Sequence, residues 1–218
     1  MTKTAMTVAG ILAIAAGANA GISITEYMYS GSGGEYIELT NLGTESVDLT
    51  GWVFIDSDRL EGAEEESDLF DLSSFGMVAP GESIIITEDD AATFAADWSL
   101  DPAVRVLGLL GFDTGKNIGR SDELNIYDAD SNLVDRLTYG DEDFAGTIRT
   151  KDISGNPLAG AEGQNDIFNW IYSAEGDSFG SYLSANGDLG NPGYFTVPTP
   201  GTMALIGLAG LGATRRRR

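Results

Sequence analysis

The stretch from Gly34 to Trp52, GEYIELTNLGTESVDLTGW, leaves this chain few ways to fold. Ile37 and Leu39 alternate with Tyr36, Glu38 and Thr40, and after Asn41-Leu42-Gly43 the alternation returns in Val47, Asp48 and Leu49. Period-two alternation marks strands with one face buried, so the stretch predicts two strands folded about a turn and entering a third. Asp48 stands two residues before Thr50, where its carboxylate can accept a backbone N–H in an Asx-turn, and Gly51 can take the positive φ of a sharp bend. Trp52 then opens the run Trp52-Val53-Phe54-Ile55, and the expected product is a β corner sealed by an indole.

Similar signals recur along the chain. Ile22 to Tyr27 alternates at period two and reads as a first strand, followed by the flexible connection Ser30-Gly31-Ser32-Gly33-Gly34. The acidic run from Glu61 to Asp71 reads as a solvated loop, because like charges at that density favour solvent or a cation over packing. Ala79-Pro80-Gly81-Glu82 is a turn, and Ser83-Ile84-Ile85-Ile86-Thr87 is the least ambiguous strand. Asp89 or Asp90 can cap a short helix from Ala91 to Trp98. A strand over Val104 to Leu110, a hairpin of Glu123–Tyr127 with Leu133–Tyr139, and a strand Asn169 to Tyr172 follow. Glycine, at 29 of 218 residues, is nearly double its usual share of about 7%. With no long amphipathic helical run, the chain is expected to be all-β with one short helix.

Both ends differ from this body. Lys3 precedes an apolar segment from Ala5 to Ala16, and Ala18-Asn19-Ala20 supplies the small-x-small pattern of signal-peptidase cleavage, with Gly21 as the new first residue. A short core helix would rarely sit beside a lone cation and end in A-N-A. After Val197 come Pro198-Thr199-Pro200, an apolar run from Met203 to Ala213, and Arg215 to Arg218. The prolines hold the backbone extended, the apolar run partitions into a bilayer, and the arginines resist crossing it. A helix over residues 202–214 would rise only about 20 Å at about 1.5 Å per residue, which suits transient membrane insertion better than permanent anchoring. The expected division is a signal peptide at 1–20, one domain over 21–196, and a sorting segment at 197–218.

Without the two ends, seven basic residues stand against 34 acidic ones, a body charge of −27. That field disfavours nucleic acid and anionic lipid surfaces and concentrates cations. The chain has no Cys and no His, so an exported domain of this kind relies on its core rather than on disulfides. The same absence removes Cys-His nucleophiles and the usual zinc sites. Gly176-Asp177-Ser178-Phe179-Gly180 matches the G-x-S-x-G elbow, but that chemistry needs a histidine and a strand-to-helix turn, so a glycine-rich loop is the better reading. Asp128-x-Asp130-x-Asn132 imitates the start of an EF-hand loop but has Leu133 where Gly is required and Tyr139 where a bidentate Glu belongs. It reads as a hairpin turn, leaving Asp56, Asp58, Asp128, Asp130 and Asn132 as surface calcium candidates. Paired carboxylates could serve a glycosidase, though sequence cannot supply their separation. Tyr27, Tyr29, Tyr182 and Tyr194, if exposed in a row, would suit a carbohydrate-binding module.

The segments E-Y-I-E-L-x-N and V-D-L-x-G-W, the opening I-x-I-x-E and the hairpin L-x-I-Y-D…V-D-x-L-x-Y together resemble the lamin-tail domain over Ile22 to Tyr139. The resemblance implies an immunoglobulin-like β-sandwich and no reaction. The ending G-D-L-G-N-P-G resembles a passage of exported bacterial members, which would make residues 140–196 an extension of the same domain; a separate binding module is the alternative. The tail resembles the PEP-CTERM sorting signal, read by the membrane enzyme exosortase, on Val197, Pro198, Thr199, Pro200 and Arg215, Arg216, Arg217 and Arg218, although Thr199 replaces the usual Glu. These resemblances imply a non-catalytic protein of the bacterial cell surface or extracellular matrix, membrane-associated before processing. Signal peptidase and an exosortase would be its partners during export, with an extracellular polysaccharide or protein as a further partner. No cofactor is expected, calcium apart. A calcium- or carbohydrate-binding module and a carboxylate-based hydrolase are the alternatives.

Overall fold

The computed structural model of the protein describes residues 21–56, 69–108 and 117–196. The first strand, β1 (Ile22–Met28), pairs antiparallel with β2 (Tyr36–Asn41), and the register slips by one residue between Ile24 and Glu26. This bulge at Thr25 shifts the phase of β1. Ile22 and Ile24 face the main core before it and Tyr27 and Tyr29 after it. The strict alternation expected over Ile22 to Tyr27 is therefore broken in the middle. A second correction concerns exposure: β1 and β2 are buried along their whole length, on both faces rather than one.

From β2 the chain leaves the sheet through β3 (Val47–Asp48), β4 (Val53–Asp56), β5 (Phe70–Asp71) and β6 (Met77–Val78). β3 pairs with β6, not with β2, so the two strands expected to fold about Asn41-Leu42-Gly43 form a corner between sheets instead of a hairpin. Asn41 holds this corner, donating from its side chain to the carbonyls of Glu45 and Val78 at 2.9 Å. The Asx-turn forms as expected, with Thr50 N–H donating to Asp48 Oδ1 at 3.0 Å and Gly51 at φ +79°. Trp52, half-buried, packs on the core.

Beyond the Ala79–Glu82 turn, β7 (Ser83–Thr87) returns to pair with β2. Helix α1 (Ala91–Asp97) is capped by Asp90, whose side chain accepts the N–H groups of Ala92 and Thr93. β8 (Arg105–Leu107) runs parallel to β7. β9 (Asp122–Tyr127) and β10 (Leu133–Tyr139) make the expected hairpin. β11 (Gly155–Pro157), β12 (Trp170–Tyr172), β13 (Tyr182–Leu183) and β14 (Leu189–Gly190) follow.

Ten of these strands form a six-stranded sheet, β12-β11-β1-β2-β7-β8, facing a four-stranded sheet, β10-β9-β4-β5, and β3-β6 and β13-β14 are separate two-stranded ribbons. It is the immunoglobulin-like β-sandwich expected, mostly strand with one α-helix. Between the sheets lies the main core, where Ile24, Ile37, Leu39, Ile84 and Ile86 of the first meet Phe54, Leu124, Ile126 and Leu137 of the second. Trp170 of β12 packs edge-on against Tyr27 at 5.5 Å. The outer face of the six-stranded sheet carries a second core, in which Met28, Tyr36 and Ile85 pack against Phe94 and Trp98 of the α1 region. The three isoleucines of β7 therefore divide between two cores. Among the described residues no helix is long and apolar enough to cross a membrane.

Trp98 is fully buried and makes ring contacts with Tyr36, Phe94 and Tyr182 at 5.7–6.1 Å. Trp98→Ala is expected to cost about 3–5 kcal/mol, and thus to lower the melting temperature by roughly 6–20 °C for a domain of this size. A fall of under about 2 °C in a thermal melt would show that α1 does not seal this face.

Candidate functional site

The outer face of the six-stranded sheet carries two fully buried carboxyls held well above their usual range, while the half-buried Glu88, beside Glu35, is raised further, to about 9. Glu26 on β1 and Glu38 on β2 stand directly opposite one another, a pairing of like charges that ordinarily destabilises a sheet. Both are fully buried. Glu26 Oε1 accepts from Tyr36 Oη at 2.7 Å, from the backbone N–H of Asn191 at 2.8 Å, and from Ser154 Oγ. Its Oε2 has no partner among the described residues. Glu38 Oε1 accepts from Thr25 Oγ1 at 2.7 Å and Thr40 Oγ1 at 3.3 Å, and its Oε2 accepts the N–H of Gly193 at 2.8 Å. Asn156, Ser173 and Asn191 continue the network.

Besides Ser154, just before β11, the residues contacting the pair come from two parts of the chain. β1, β2 and β7 form the floor, and the segment from Leu189 to Gly193 forms the roof. Gly190 is required there: a Cβ would lie 2.4 Å from Tyr36 Oη and 2.9 Å from Glu26 Oε1. At Gly193, φ is +91° and a Cβ would lie 2.8 Å from Val104 Cγ2. Both glycines let backbone approach the carboxylates closely.

Burial, and for Glu26 also the charge of Glu38, raises both carboxyls above their usual range, Glu26 to about 8 and Glu38 to about 7. The pair therefore keeps a proton at neutral pH and titrates as a unit. Perturbed carboxyls of this kind often mark catalytic sites, but this pair is sealed from solvent and gives a substrate no approach. The open cleft of about 520 Å³ lined by Leu158–Ala161, Gln164–Asp166 and Asn169 holds one carboxylate, Asp166, already bonded to Phe168 N–H and Asn169 Nδ2.

The residues singled out in the sequence are scattered. Asp128 Oδ1 accepts the N–H groups of Asp130 and Asn132 at 2.9 and 2.8 Å, and Asn132 Nδ2 also donates to the carboxylate, holding Asp128 below its usual range. This carboxylate staples the hairpin turn. Asp56 is buried at the far end of β4, where it pairs with Leu124, whereas Val53 pairs with Tyr127 beside the turn; the two places are separated by about 10 Å at about 3.3 Å per residue. Among the described residues no three His, Cys, Asp or Glu side chains converge to hold a metal. In Gly176–Gly180, Asp177 accepts from Ala174, Phe179 and Ser181 N–H groups, a loop with no elbow. The tyrosine row does not form: Tyr27 and Tyr29 lie in the core because of the bulge, and only Tyr182 and Tyr194 reach the surface. Asp58, Ala18, Ala20, Val197 to Pro200 and Arg215 to Arg218 lie outside the described residues; Gly21 immediately precedes β1.

The family model described as Lamin Tail Domain matches residues 15–141, ending just past β10. No curated protein matches the chain. The matched part contains Glu26 and Glu38, and the unmatched part supplies Ser154, Asn191 and Gly193.

The pair makes stability depend on pH with a definite sign. Both folded pKa values lie above the ordinary 4.5, so the folded state binds more protons between them and stability falls as pH rises. The contribution is fully present below about pH 4.5 and lost through about pH 7–8. Glu35, Glu88 and Asp135 are raised as well and act in the same direction. Glu26→Gln is expected to reduce, not abolish, the loss of urea-unfolding free energy between pH 5 and pH 9. A variant whose decline equals the wild-type decline would show that Glu26 does not titrate in this range.

Proposed function

The chain belongs to the lamin tail domain family, and from that premise we propose that it is an exported, non-catalytic protein of the cell surface or extracellular matrix, whose sandwich is a structural module delivered by the signals at its two ends. The observation that carries the non-catalytic part is the sealing of Glu26 and Glu38. These two buried carboxyls are spent on binding the backbone of Asn191 and Gly193, and no substrate can reach them. The order of features supports export: a lone cation, an apolar segment and A-N-A before β1, then an acidic body without cysteine, then Pro-Thr-Pro, an apolar run and four arginines.

In this reading a signal peptidase cuts after Ala20. The arginines then hold the C-terminal end at the cytoplasmic face while residues 198–202 stand extended at the outer boundary, where an exosortase-type enzyme cuts. The cut body enters the surface or matrix, with a polysaccharide or protein as its neighbour. The mature protein in native surface material is expected to begin at Gly21 and to lack Arg215 to Arg218. Replacing the four arginines by serine should release unprocessed protein or change its location. Mass spectrometry that recovers the intact C-terminal peptide ending in Arg218 from that material would overturn the processing.

A further inference from the structure

A second pair of buried acids lies near the first, where three segments meet. Asp97 is the last residue of α1, Asp188 precedes β14, and the loop Ser30–Gly34 runs between them. Asp97 is 9% exposed and Asp188 2%. Asp97 Oδ1 accepts the N–H of Asn186 at 2.9 Å, and Asp188 Oδ2 accepts the N–H of Gly33 at 2.5 Å. Asp97 Oδ2 is buried and has no partner. No ion pair among the described residues reaches either carboxylate.

Both oxygens face Gly33, whose N–H binds Asp188 Oδ2, while Asp97 Oδ2 is left without a donor. A Cβ on Gly33 would lie 1.9 Å from Asp97 Oδ2 and 3.1 Å from Asp188 Oδ2, and a Cβ on Gly31 would lie 3.0 Å from Asp188 Oδ2. The two carboxylate oxygens are thus no more than about 5 Å apart, close enough for one ion with bonds of about 2.3–2.6 Å to bridge them. Asp97 also sits at the C-terminal end of its helix, where the backbone dipoles disfavour a negative charge. A buried, unpaired anion beside a second anion at the wrong end of a helix is costly three times over, and a cation removes all three costs.

We propose that Asp97 and Asp188 bind a calcium ion that clamps the Asn186–Asp188 segment to the Ser30–Gly34 loop and to α1. The donor set decides the ion. It offers hard oxygens only, with no nitrogen or sulfur ligand in a chain free of His and Cys, which suits calcium rather than a transition metal. Asn186 Nδ2 donates to the Ser32 carbonyl at 3.3 Å, so the two segments to be clamped already touch there, and water would complete the shell. Two carboxylates in an incomplete cage match the weak, millimolar to submillimolar class of calcium sites. The sequence pattern missed this site because its two aspartates are 91 positions apart and meet only through the fold. The site does not depend on where the protein resides.

The test is thermal melting and calorimetric titration of the purified full-length protein, stripped of metal and then given Ca²⁺ or, at equal ionic strength, Mg²⁺. The wild type is expected to melt several degrees higher in 5–10 mM Ca²⁺, with a smaller response to Mg²⁺. Asp97→Asn is expected to do two opposite things: to raise the melting temperature without calcium, since the unpaired charge is gone, and to abolish the calcium increment. Asp130→Asn, in the hairpin turn, keeps the wild-type increment and controls for general counter-ion binding to an acidic protein. Asp188→Asn, which retains an acceptor for Gly33 N–H, is read in place of Asp97→Asn if that variant does not fold. No increment in the wild type, an equal increment with Mg²⁺, or an increment that survives the aspartate substitutions would overturn the site.

Discussion

Because β1 carries one residue more than β2 between Ile24 and Glu26, the side chains after Thr25 change faces, and Tyr27 rather than Glu26 enters the sandwich core. One strand thereby serves two layers. Its first half presents Ile22 and Ile24 inward, its second half presents Tyr27 inward, and Thr25, Glu26 and Met28 turn to the outer face. A bulge also loosens the ladder locally. Here Ile24 N–H donates to Asp135 Oδ2, 2.8 Å away on the opposing sheet, which ties the two sheets together beside the irregularity. Asp135 is itself raised to about 6 by burial, so this tie is another place where the fold holds a carboxyl out of water.

Placing Glu26 and Glu38 face to face on the outer layer creates a cost that the rest of that layer answers. Two adjacent buried carboxylates could not both remain charged without severe repulsion. One answer is the retained proton. The other is a set of donors: Thr25, Tyr36, Thr40 and Ser154 by their hydroxyls, and Asn191 and Gly193 by their backbone. The backbone donors explain the passage Gly187-Asp188-Leu189-Gly190-Asn191-Pro192-Gly193 better than flexibility does. Two of its glycines stand where any side chain would collide, and Asn191 is locked by Asn156 and by its own bond to Tyr194 O at 2.9 Å.

Much of the fold was legible because its signals are local. The Asx-turn at Asp48, the Asp90 cap, the turn at Pro80-Gly81 and the hairpin after Tyr127 each depend on residues within five positions of one another. The three isoleucines of β7 announced a buried strand, but not that it was buried against two different layers. What stayed hidden was non-local. The Thr25 bulge is invisible in a run that already reads I-S-I-T-E-Y, and it reversed the expected exposure of Tyr27 and Tyr29. Glu38 looked like the solvent side of an alternating strand, and only the arrival of residues 189–193 makes it interior. Acidic residues were so numerous in the sequence that the buried ones, Glu26, Glu38, Asp97, Asp135 and Asp188 among them, could not be told from those that merely keep the surface soluble.

The two acid pairs also show why one would retain a proton and the other a metal. Glu26 and Glu38 are wholly enclosed, and the oxygens around them belong mainly to hydroxyls that rotate to donate, which suits a carboxyl sharing a proton. Asp97 lies nearer the surface, beside loop backbone rather than a wall of hydroxyls. Under the proposed clamp the counter-charge there is an ion from solvent, which the field of a body carrying −27 concentrates. Both devices attach the same segment, residues 184–193, to the lamin-tail sandwich. With that clamp the segment has two attachments of different kinds, one sharing a proton and one sharing an ion, so the loss of calcium leaves the glutamate attachment in place.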